Sequence, residues 1–208
     1  MIKAVLFDVD GVLLDSLEAN WKFCSDLLEK FGYPRLTKKE YAGAFHNTLK
    51  EVIQKFTKVA DESEINKIWE AARRGEIIYD ENLLGTPEGL EEVLESLSKN
   101  YVLGIVSSRT KSRIEKVEKL SHLLKYFKVA VCYEDTEVHK PNPDPLLFAA
   151  NKLNLKPEEC AYIGDMSTDI MAARAANMKI IVFSKDFYEN TDAHTEIFTE
   201  LPALIEKL

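Results

Sequence analysis

Residues 2–11 read Ile-Lys-Ala-Val-Leu-Phe-Asp-Val-Asp-Gly, an apolar run that ends in two carboxylates and a glycine. The run has the length and the β-branched content of a buried parallel strand. Because side chains two residues apart in a strand point the same way, Asp8 and Asp10 are predicted to lie side by side at its carboxyl end, where open α/β sheets bind ligands. A turn without a ligand is the alternative, since Asp and Gly are common turn residues.

The two neighbouring carboxylates predict a metal ion. Like charges this close repel each other, and a cation or a shared proton is needed to keep both in place. Mg²⁺ is the hard divalent cation that fits carboxylate oxygens and bridges them to an anionic substrate. Gly11 lets the backbone turn sharply after the two acids. The stretch therefore predicts a Mg²⁺ site that receives an anionic substrate.

The overall composition limits the classes of partner. The chain has 208 residues and a net charge of −8, with a pI of about 5.2, which argues against nucleic acid or an anionic membrane as a partner. No apolar run has the length of a membrane span and the N-terminus has no signal-peptide layout, so a cytoplasmic location is predicted. Three widely spaced cysteines are predicted to be buried free thiols: Cys24, Cys132 and Cys160.

Strand and helix patterns alternate along most of the chain. This alternation predicts a doubly wound, Rossmann-like α/β fold with a parallel sheet of five strands. The predicted strands are residues 2–7, 101–106, 128–132, 160–163 and 179–183. Helices are predicted between them, including one that begins at Pro87 after Thr86 as its N-cap.

Residues 17–83 interrupt the alternation with helical patterns only. The segment separates the first strand from the second and is much longer than a crossover connection requires. Thr37 followed by Glu40 has the spacing of a capping box. We therefore predict two domains: an α/β core of residues 1–16 and 84–208, and an inserted helical-bundle cap of residues 17–83.

Polar side chains follow three of the predicted strands. The groups after the first, second and fourth strands are Asp8 with Asp10, Ser107 with Ser108, and Asp165 with Asp169. Lys140 lies in the loop after the third strand. Because the carboxyl ends of parallel strands lie along one edge of a sheet, these residues are predicted to converge. Together they offer carboxylates for a metal ion and for covalent chemistry, hydroxyl donors and one ammonium group.

Four motifs, in this order, resemble those of the haloacid dehalogenase (HAD) superfamily, in the subfamily whose helical cap follows the first strand. They read Asp-Val-Asp-Gly-Val-Leu-Leu-Asp-Ser at 8–16, Ile-Val-Ser-Ser at 105–108, Lys-Pro-Asn-Pro-Asp-Pro at 140–145 and Gly-Asp-Met-Ser-Thr-Asp at 164–169. The resemblance covers the core from end to end, whereas the cap matches only in position, size and helical character. The layout is most similar to the phosphoglycolate phosphatase-like and β-phosphoglucomutase-like branch.

The resemblance implies a role for each motif residue. Asp8 is expected to be the nucleophile that forms an aspartyl-phosphate, and Asp10 the general acid and base. Mg²⁺ is expected on Asp8, Asp165 and the backbone carbonyl of Asp10. The phosphate-binding candidates are Ser107, Ser108 and Lys140, with a helix-cap role as the alternative for the serines. Asp169 is expected to orient a metal-bound water or Lys140.

Asp10 favours phosphoryl transfer, because the dehalogenases of this superfamily lack an acid at the corresponding position. The predicted function is Mg²⁺-dependent hydrolysis of a small phosphorylated metabolite, as in phosphoglycolate phosphatases. A sugar-phosphate mutase of the β-phosphoglucomutase type is the alternative, since it shares all four motifs. A non-catalytic binding or regulatory protein is disfavoured by the complete set of motif residues.

Substrate specificity and assembly stay open at this point. In this superfamily specificity residues lie in the cap turn, here residues 43–48, so His46, Asn47 and Lys50 are candidates. Arg109, after the second strand, is a further candidate. For each of them the alternative is an ordinary polar residue on the surface. The phosphonate hydrolases of the superfamily use a lysine at the cap turn, whereas Lys50 lies past it. A monomer and a homodimer both fit the sequence.

Overall fold

The computed structural model describes residues 1–45 and 47–208, so the specificity candidate His46 lies outside the described residues. The chain divides into two compact units. One comprises Met1–Asp15 and Gly85–Leu208, and the other comprises Ser16–Leu84. Each unit contains its own cluster of buried apolar side chains. That the inserted unit acts as a cap stays a prediction.

The larger unit is built on a parallel sheet. Its strands are β1 (Ala4–Phe7), β2 (Val102–Val106), β3 (Phe127–Val131), β4 (Cys160–Gly164), β5 (Lys179–Phe183) and β6 (Ala193–Thr195). In the part of the chain that the structure describes, they form one six-stranded sheet in the order β3-β2-β1-β4-β5-β6. The predicted doubly wound α/β fold is confirmed, with the first strand in the interior of the sheet.

The predicted number of five strands is wrong, because β6 adds a sixth. This strand has three residues and lies at the edge of the sheet, where it pairs with β5. Its sequence, Ala-His-Thr, has no apolar run, since a half-exposed edge strand does not have to be apolar on both faces. Asp192, directly before β6, accepts the Ile180 N–H at 2.9 Å and fixes the point where pairing starts.

The register of the central strands determines where the polar residues emerge. Phe7 of β1 pairs with Ile105 of β2 on one side and with Ile163 of β4 on the other. All four residues of β1 are buried, which is why the strand reads as a continuous apolar run. The three strands end within one residue of one another, so the residues that follow them share one edge of the sheet.

The inserted unit is helical in its described residues. Its α-helices are α1 (Leu17–Lys30), α2 (Lys38–Ala42), α3 (Leu49–Thr57) and α4 (Glu62–Arg73). The predicted capping box of Thr37 with Glu40 is present at the start of α2, and Thr48 forms a second one with Glu51 at the start of α3. Apolar side chains from these helices form the buried cluster of the unit.

The remaining helices belong to the larger unit. They are α5 (Leu90–Ser98), α6 (Lys111–Lys116), α7 (Glu118–Ser121), α8 (Asp144–Lys152), α9 (Ser167–Ala175) and α10 (Leu201–Ile205). The prediction that a helix begins at Pro87 is wrong, because α5 begins at Leu90. Gly89 has a φ of +72°, a left-handed conformation that a right-handed helix cannot include.

The structure bears on two further predictions. The three cysteines are buried and free, as predicted. Among the described residues, no helix combines the length and the apolar character that crossing a membrane requires. The cytoplasmic location stays a prediction.

Candidate active site

The carboxyl edge of the sheet gathers the polar residues that the motifs singled out. Asp8 follows β1, Ser107 follows β2 and Asp165 follows β4, and each is at most 9% exposed. Lys140 reaches them from the loop between β3 and α8, and its side chain is 7% exposed. Burying charges is unfavourable unless they are paired, so these groups have to compensate one another.

The turn after β1 depends on Gly11. Its φ of +81° lies in the left-handed region, which glycine adopts without strain. Its N–H donates to the Leu14 carbonyl at 2.8 Å. A Cβ atom at this position would lie 2.0 Å from Oδ2 of Asp165. Gly11 therefore allows the predicted sharp turn and also leaves room for a carboxylate from β4.

Three carboxylates meet at this edge of the sheet. Oxygens of Asp8, Asp165 and Asp169 all lie within 4.8 Å of one another. Burial, reinforced by the charge of Asp169, raises the pKa of Asp8 to about 7 and the pKa of Asp165 to about 9. Carboxylate oxygens are the donors that Mg²⁺ prefers, and a cation here would relieve the repulsion between them. The donor set therefore fits the predicted metal ion.

Asp169 is the most deeply buried of the three, with 1% of its surface exposed. Its Oδ2 accepts the backbone N–H groups of Asp165 and Met166, each at 3.1 Å. Its Oδ1 accepts Lys140 Nζ at 2.7 Å and lies 3.3 Å from the Tyr162 hydroxyl. These contacts fix the position of Lys140 and of the turn after β4 relative to the Asp169 carboxylate.

Lys140 is held by three oxygen atoms. Its Nζ lies 2.9 Å from Asp8 Oδ2, 2.7 Å from Asp169 Oδ1 and 2.8 Å from the Tyr162 hydroxyl. Burial alone lowers the pKa of this ammonium group, but the charges of Asp169 and Asp8 outweigh it and hold the pKa well above its usual value. The site therefore contains a permanent positive charge directly beside Asp8.

Asp10 pairs with Arg109. Nε of Arg109 donates to Asp10 Oδ2 at 2.8 Å, and Nη2 donates to Oδ1 at 2.7 Å. The Arg109 side chain is 8% exposed and that of Asp10 is 22% exposed. Two parallel charge-assisted hydrogen bonds with little solvent around them form a strong contact. The sequence indicated Arg109 only as a specificity candidate, and the structure places it on the predicted acid/base residue.

The two candidate serines lie in different environments. Ser107 is buried, and its Oγ accepts the Arg109 N–H at 3.2 Å. Ser108 is half-buried. The residue that precedes α6 is Thr110, so the helix-cap alternative is wrong for both serines.

Two specificity candidates in the inserted unit are described. The N–H of Asn47 donates to the Ala44 carbonyl at 3.0 Å. The Lys50 ammonium lies 4.6 Å from the centre of the Trp69 ring, a cation–π contact within the unit. Their roles in substrate recognition stay predictions.

The span of the motifs coincides with a known family. Residues 5–183 match the family model described as haloacid dehalogenase-like hydrolase. The chain belongs to this family. The matched segment contains every predicted site residue from Asp8 to Asp169, so the resemblance that the motifs indicated is confirmed.

Individual relatives resemble this hydrolase over most of their lengths. A pyrophosphatase PpaX from Bacillus thuringiensis is 32% identical over 189 residues, which cover 88% of this chain and 83% of that protein. A HAD-superfamily hydrolase of subfamily IA from Geobacter sulfurreducens has a TM-score of 0.72 at 28% identity, covering 98% of this chain and 96% of that one. A β-phosphoglucomutase from Clostridium difficile has a TM-score of 0.81 at 23% identity, and the match covers 100% of this chain and 97% of that one. At 23% identity, the likeness to the β-phosphoglucomutase shows a shared fold alone. The family and the pyrophosphatase relative confirm the prediction of a phosphatase-type enzyme.

One residue in the site of this hydrolase was not predicted from its sequence. Tyr162 lies in β4 and is fully buried, and its hydroxyl contacts Lys140, Asp169 and the Val106 carbonyl. In an apolar strand, a tyrosine is interpreted as part of the hydrophobic core. The sequence feature that could have identified Tyr162 as a site residue is its phenolic hydroxyl, which needs a hydrogen-bond partner when it is buried.

Proposed function

We propose that this hydrolase cleaves phosphomonoesters of small metabolites with Mg²⁺, through an aspartyl-phosphate at Asp8. The observation that carries the proposal is the contact of the Asp8 carboxylate with the Lys140 ammonium, beside the Asp165 carboxylate. A carboxylate nucleophile next to a fixed cation can receive an anionic phosphoryl group that would otherwise be repelled. The pyrophosphatase relative supports phosphorus as the reacting centre.

Asp8 is held on both oxygens. Its Oδ1 accepts the Val9 N–H at 2.8 Å, and its Oδ2 faces Lys140. In the first step an Asp8 oxygen bonds to phosphorus while the bond from phosphorus to the leaving oxygen breaks. Once it has left Arg109 and taken up a proton from solvent, Asp10 gives that proton to the leaving oxygen, and it then takes a proton from the water that attacks the aspartyl-phosphate. The second step releases phosphate and restores the Asp8 carboxylate.

Lys140 and Ser107 are the groups proposed to bind the phosphoryl oxygens. Lys140 supplies positive charge beside the nucleophile, and Ser107 lies at the end of the adjacent strand β2. Donors that are already in place stabilise the charge on the equatorial oxygens of the transition state. Ser108, at the same strand end, is the further candidate.

Asp8, Asp165 and the backbone carbonyl of Asp10 would hold Mg²⁺. When bound, the ion supplies Lewis-acid stabilisation to the phosphoryl oxygens and offsets the crowded carboxylates. Asp169 lies beside these groups and accepts hydrogen bonds from Lys140 and from the backbone of the turn. Its role is to keep Lys140 and the Asp165 backbone in position.

The contact of Asp10 with Arg109 supports a substrate role for Arg109. Both Asp10 oxygens accept hydrogen bonds from the guanidinium group, so Asp10 has to leave it before reaching a leaving oxygen. An anionic group of the substrate would give Arg109 a replacement partner. Arg109 would then link substrate binding to the release of the general acid.

Hydrolysis is proposed in preference to the mutase alternative. The relative at 32% identity carries the name of a pyrophosphatase, an enzyme that uses water as the acceptor. The likeness to a β-phosphoglucomutase, at 23% identity, supports only the shared fold. The presence of every motif residue, including Asp8, Asp10, Lys140 and Asp165, also disfavours a non-catalytic role.

Phosphate release from a panel of phosphomonoesters and pyrophosphate tests the proposal. We expect turnover with Mg²⁺, loss of turnover with EDTA, and at least about a thousandfold lower kcat for Asp8→Asn, since the nucleophile is gone. Asp26→Asn is the matched control, because it removes a surface carboxylate that pairs with Lys22 and Arg35. Turnover that persists in Asp8→Asn would contradict the covalent mechanism.

A further inference from the structure

Tyr162 connects two groups that are proposed to bind the phosphoryl oxygens. Its hydroxyl accepts a hydrogen bond from Lys140 Nζ at 2.8 Å and donates one to the Val106 carbonyl at 3.1 Å. Val106 is the last residue of β2 and directly precedes Ser107. We propose that Tyr162 is a positioning residue, which aims the Lys140 ammonium and ties it to the strand end that carries Ser107. This inference rests on the proposed phosphatase function.

The Lys140 ammonium has three N–H groups, two of which donate to Asp169 and Tyr162. Both acceptors lie in the buried interior, at 1% and 0% exposure. These two hydrogen bonds determine where the ammonium group lies. They keep its Nζ 2.9 Å from Asp8 Oδ2, where an incoming phosphoryl group meets the nucleophile.

The Tyr162 hydroxyl is held by several contacts as well. A phenol has one hydrogen to donate, and two acceptors face it: the Val106 carbonyl at 3.1 Å and Asp169 Oδ1 at 3.3 Å. With its hydrogen on either acceptor, the oxygen presents a lone pair to Lys140. The ring cannot shift, because it packs in a buried cluster that includes Leu6, Leu146, Ile170 and Ile180. A hydroxyl anchored by backbone and core holds the lysine in one orientation.

Tyr162→Phe removes this hydroxyl and keeps the ring. The ammonium group then keeps one of its two buried hydrogen-bond acceptors, Asp169, and can turn about that contact, so that it no longer stays in place beside the phosphoryl group. Because oriented donors matter most in the transition state, we expect kcat to fall about 10- to 100-fold and KM to change less than about threefold. Inhibition by orthovanadate, which mimics five-coordinate phosphorus, should weaken by the same factor as kcat.

A double-mutant cycle separates positioning from a structural effect. In a Lys140→Ala background, Tyr162→Phe should change kcat and the orthovanadate inhibition constant by less than about twofold, because the ammonium group is already absent. A further tenfold loss in that background would overturn the proposal. Wild-type kcat and orthovanadate affinity in Tyr162→Phe alone would overturn it too.

Tyr126→Phe is the matched control for the loss of a hydroxyl. The Tyr126 hydroxyl donates to Glu91 Oε1 at 3.2 Å on the surface, so its removal should leave kcat and orthovanadate inhibition unchanged. Thermal unfolding checks that each variant is folded. If Tyr162→Phe does not fold, 4-fluorophenylalanine in place of Tyr162 fills the space of the hydroxyl without its strong hydrogen bonds, and the same outcomes are expected.

The failure of this inference is distinguishable from failure of the proposed function. Wild-type protein without Asp8-dependent turnover would overturn the proposed function. Orthovanadate binding, measured calorimetrically across the same cycle, would still decide whether Tyr162 acts through Lys140. If Tyr162→Phe and Lys140→Ala reduce the affinity for orthovanadate additively, the role of Tyr162 would be overturned in that case as well.

Discussion

At the scale of single residues, two buried cations face two carboxylates of different proposed roles. Lys140 contacts the proposed nucleophile Asp8, and Arg109 binds both oxygens of the proposed acid/base Asp10. The Arg109 side chain is 8% exposed, so water screens its charge poorly. Removing one partner of such a pair leaves the other charge without compensation. An anionic group of a substrate is therefore suited to replace Asp10 at this position.

Arg109→Gln should therefore change substrate selectivity. For pyrophosphate, which carries a second anionic group, we expect kcat/KM to fall about 10- to 100-fold, because a charge-assisted hydrogen bond is lost. For p-nitrophenyl phosphate, whose only anionic group is the reacting one, the loss should be less than about threefold. Steady-state kinetics on both substrates measure the ratio of their kcat/KM values.

The control for this ratio is Arg35→Gln, which removes a surface guanidinium paired with Asp26 and Glu29. Exposed ion pairs of this kind contribute little, so both substrates should be turned over as by the wild type. Equal losses on the two substrates in Arg109→Gln would count against a substrate role for Arg109.

The sequence predicted which residues converge at the site, but it did not predict their individual contacts. Asp8 and Asp165 converge because parallel strands end at one edge, and this follows from the alternation of strands and helices. The pair of Arg109 with Asp10 depends on the reach and rotamer of a long side chain. The contacts of Tyr162 depend on what its hydroxyl meets beyond the neighbouring strand. Apolar periodicity encodes neither of these, so both needed the three-dimensional structure.

At the scale of elements, glycines at the strand ends set the spacing of the carboxylates. A Cβ atom on Gly11, in the turn after β1, would lie 2.0 Å from Asp165 Oδ2. A Cβ atom on Gly164, the last residue of β4, would lie 2.4 Å from Asp169 Cβ. In both places the missing side chain is the space that a carboxylate occupies.

Gly11→Ala should impair both stability and activity. We expect a loss of about 2–5 kcal/mol in unfolding free energy, from the left-handed conformation and from overpacking. Activity should fall because Asp165 has to move. Gly32 has a similar φ of +83°, but a Cβ atom there would have no neighbouring atom within 4 Å, so Gly32→Ala should lose only about 1–2 kcal/mol and keep its activity. Urea unfolding and phosphate release compare the two, and equal losses would refute the steric argument.

Element prediction succeeded where an apolar pattern was strong and failed where it was weak. The fully buried β1 was recognised from its apolar run, whereas β6 has only three residues and one of them is buried. The start of α5 was placed too early because Pro87 is a favourable first residue, and the left-handed Gly89 carries no periodic signal. Short edge strands and helix starts thus depend on pairing and backbone geometry more than on composition.

At the scale of the whole molecule, an acidic protein is proposed to bind anions. The net charge of −8 repels a phosphorylated substrate at long range. Attraction has to come from the local charges of Lys140 and Arg109 and from a bound cation. The alternation of strands and helices was sufficient to predict the doubly wound fold. Location, assembly and the cap role of the inserted unit depend on partners and motions that apolar patterns do not encode.

Mg²⁺ should stabilise the whole fold, because the proposed ligands Asp8 and Asp165 come together only in the folded chain. At a free concentration of ten times its Kd, the ion should add about 1.4 kcal/mol and raise Tm by about 3–6 °C. Thermal unfolding over a series of Mg²⁺ concentrations measures this rise.

The variant Asp165→Asn tests whether the Mg²⁺-dependent rise in Tm comes from binding at the proposed site. Burial raises the pKa of Asp165 to about 9, which favours its neutral form when no metal ion is bound, and asparagine resembles that neutral form. The variant should therefore fold without Mg²⁺ but lose most of the Tm rise, since an amide is a poorer ligand than a carboxylate. Asp26→Asn, on the surface of the inserted unit, should keep the full rise. If the rise in Tm is undiminished in Asp165→Asn, the stabilising ion binds away from the carboxylates of Asp8 and Asp165.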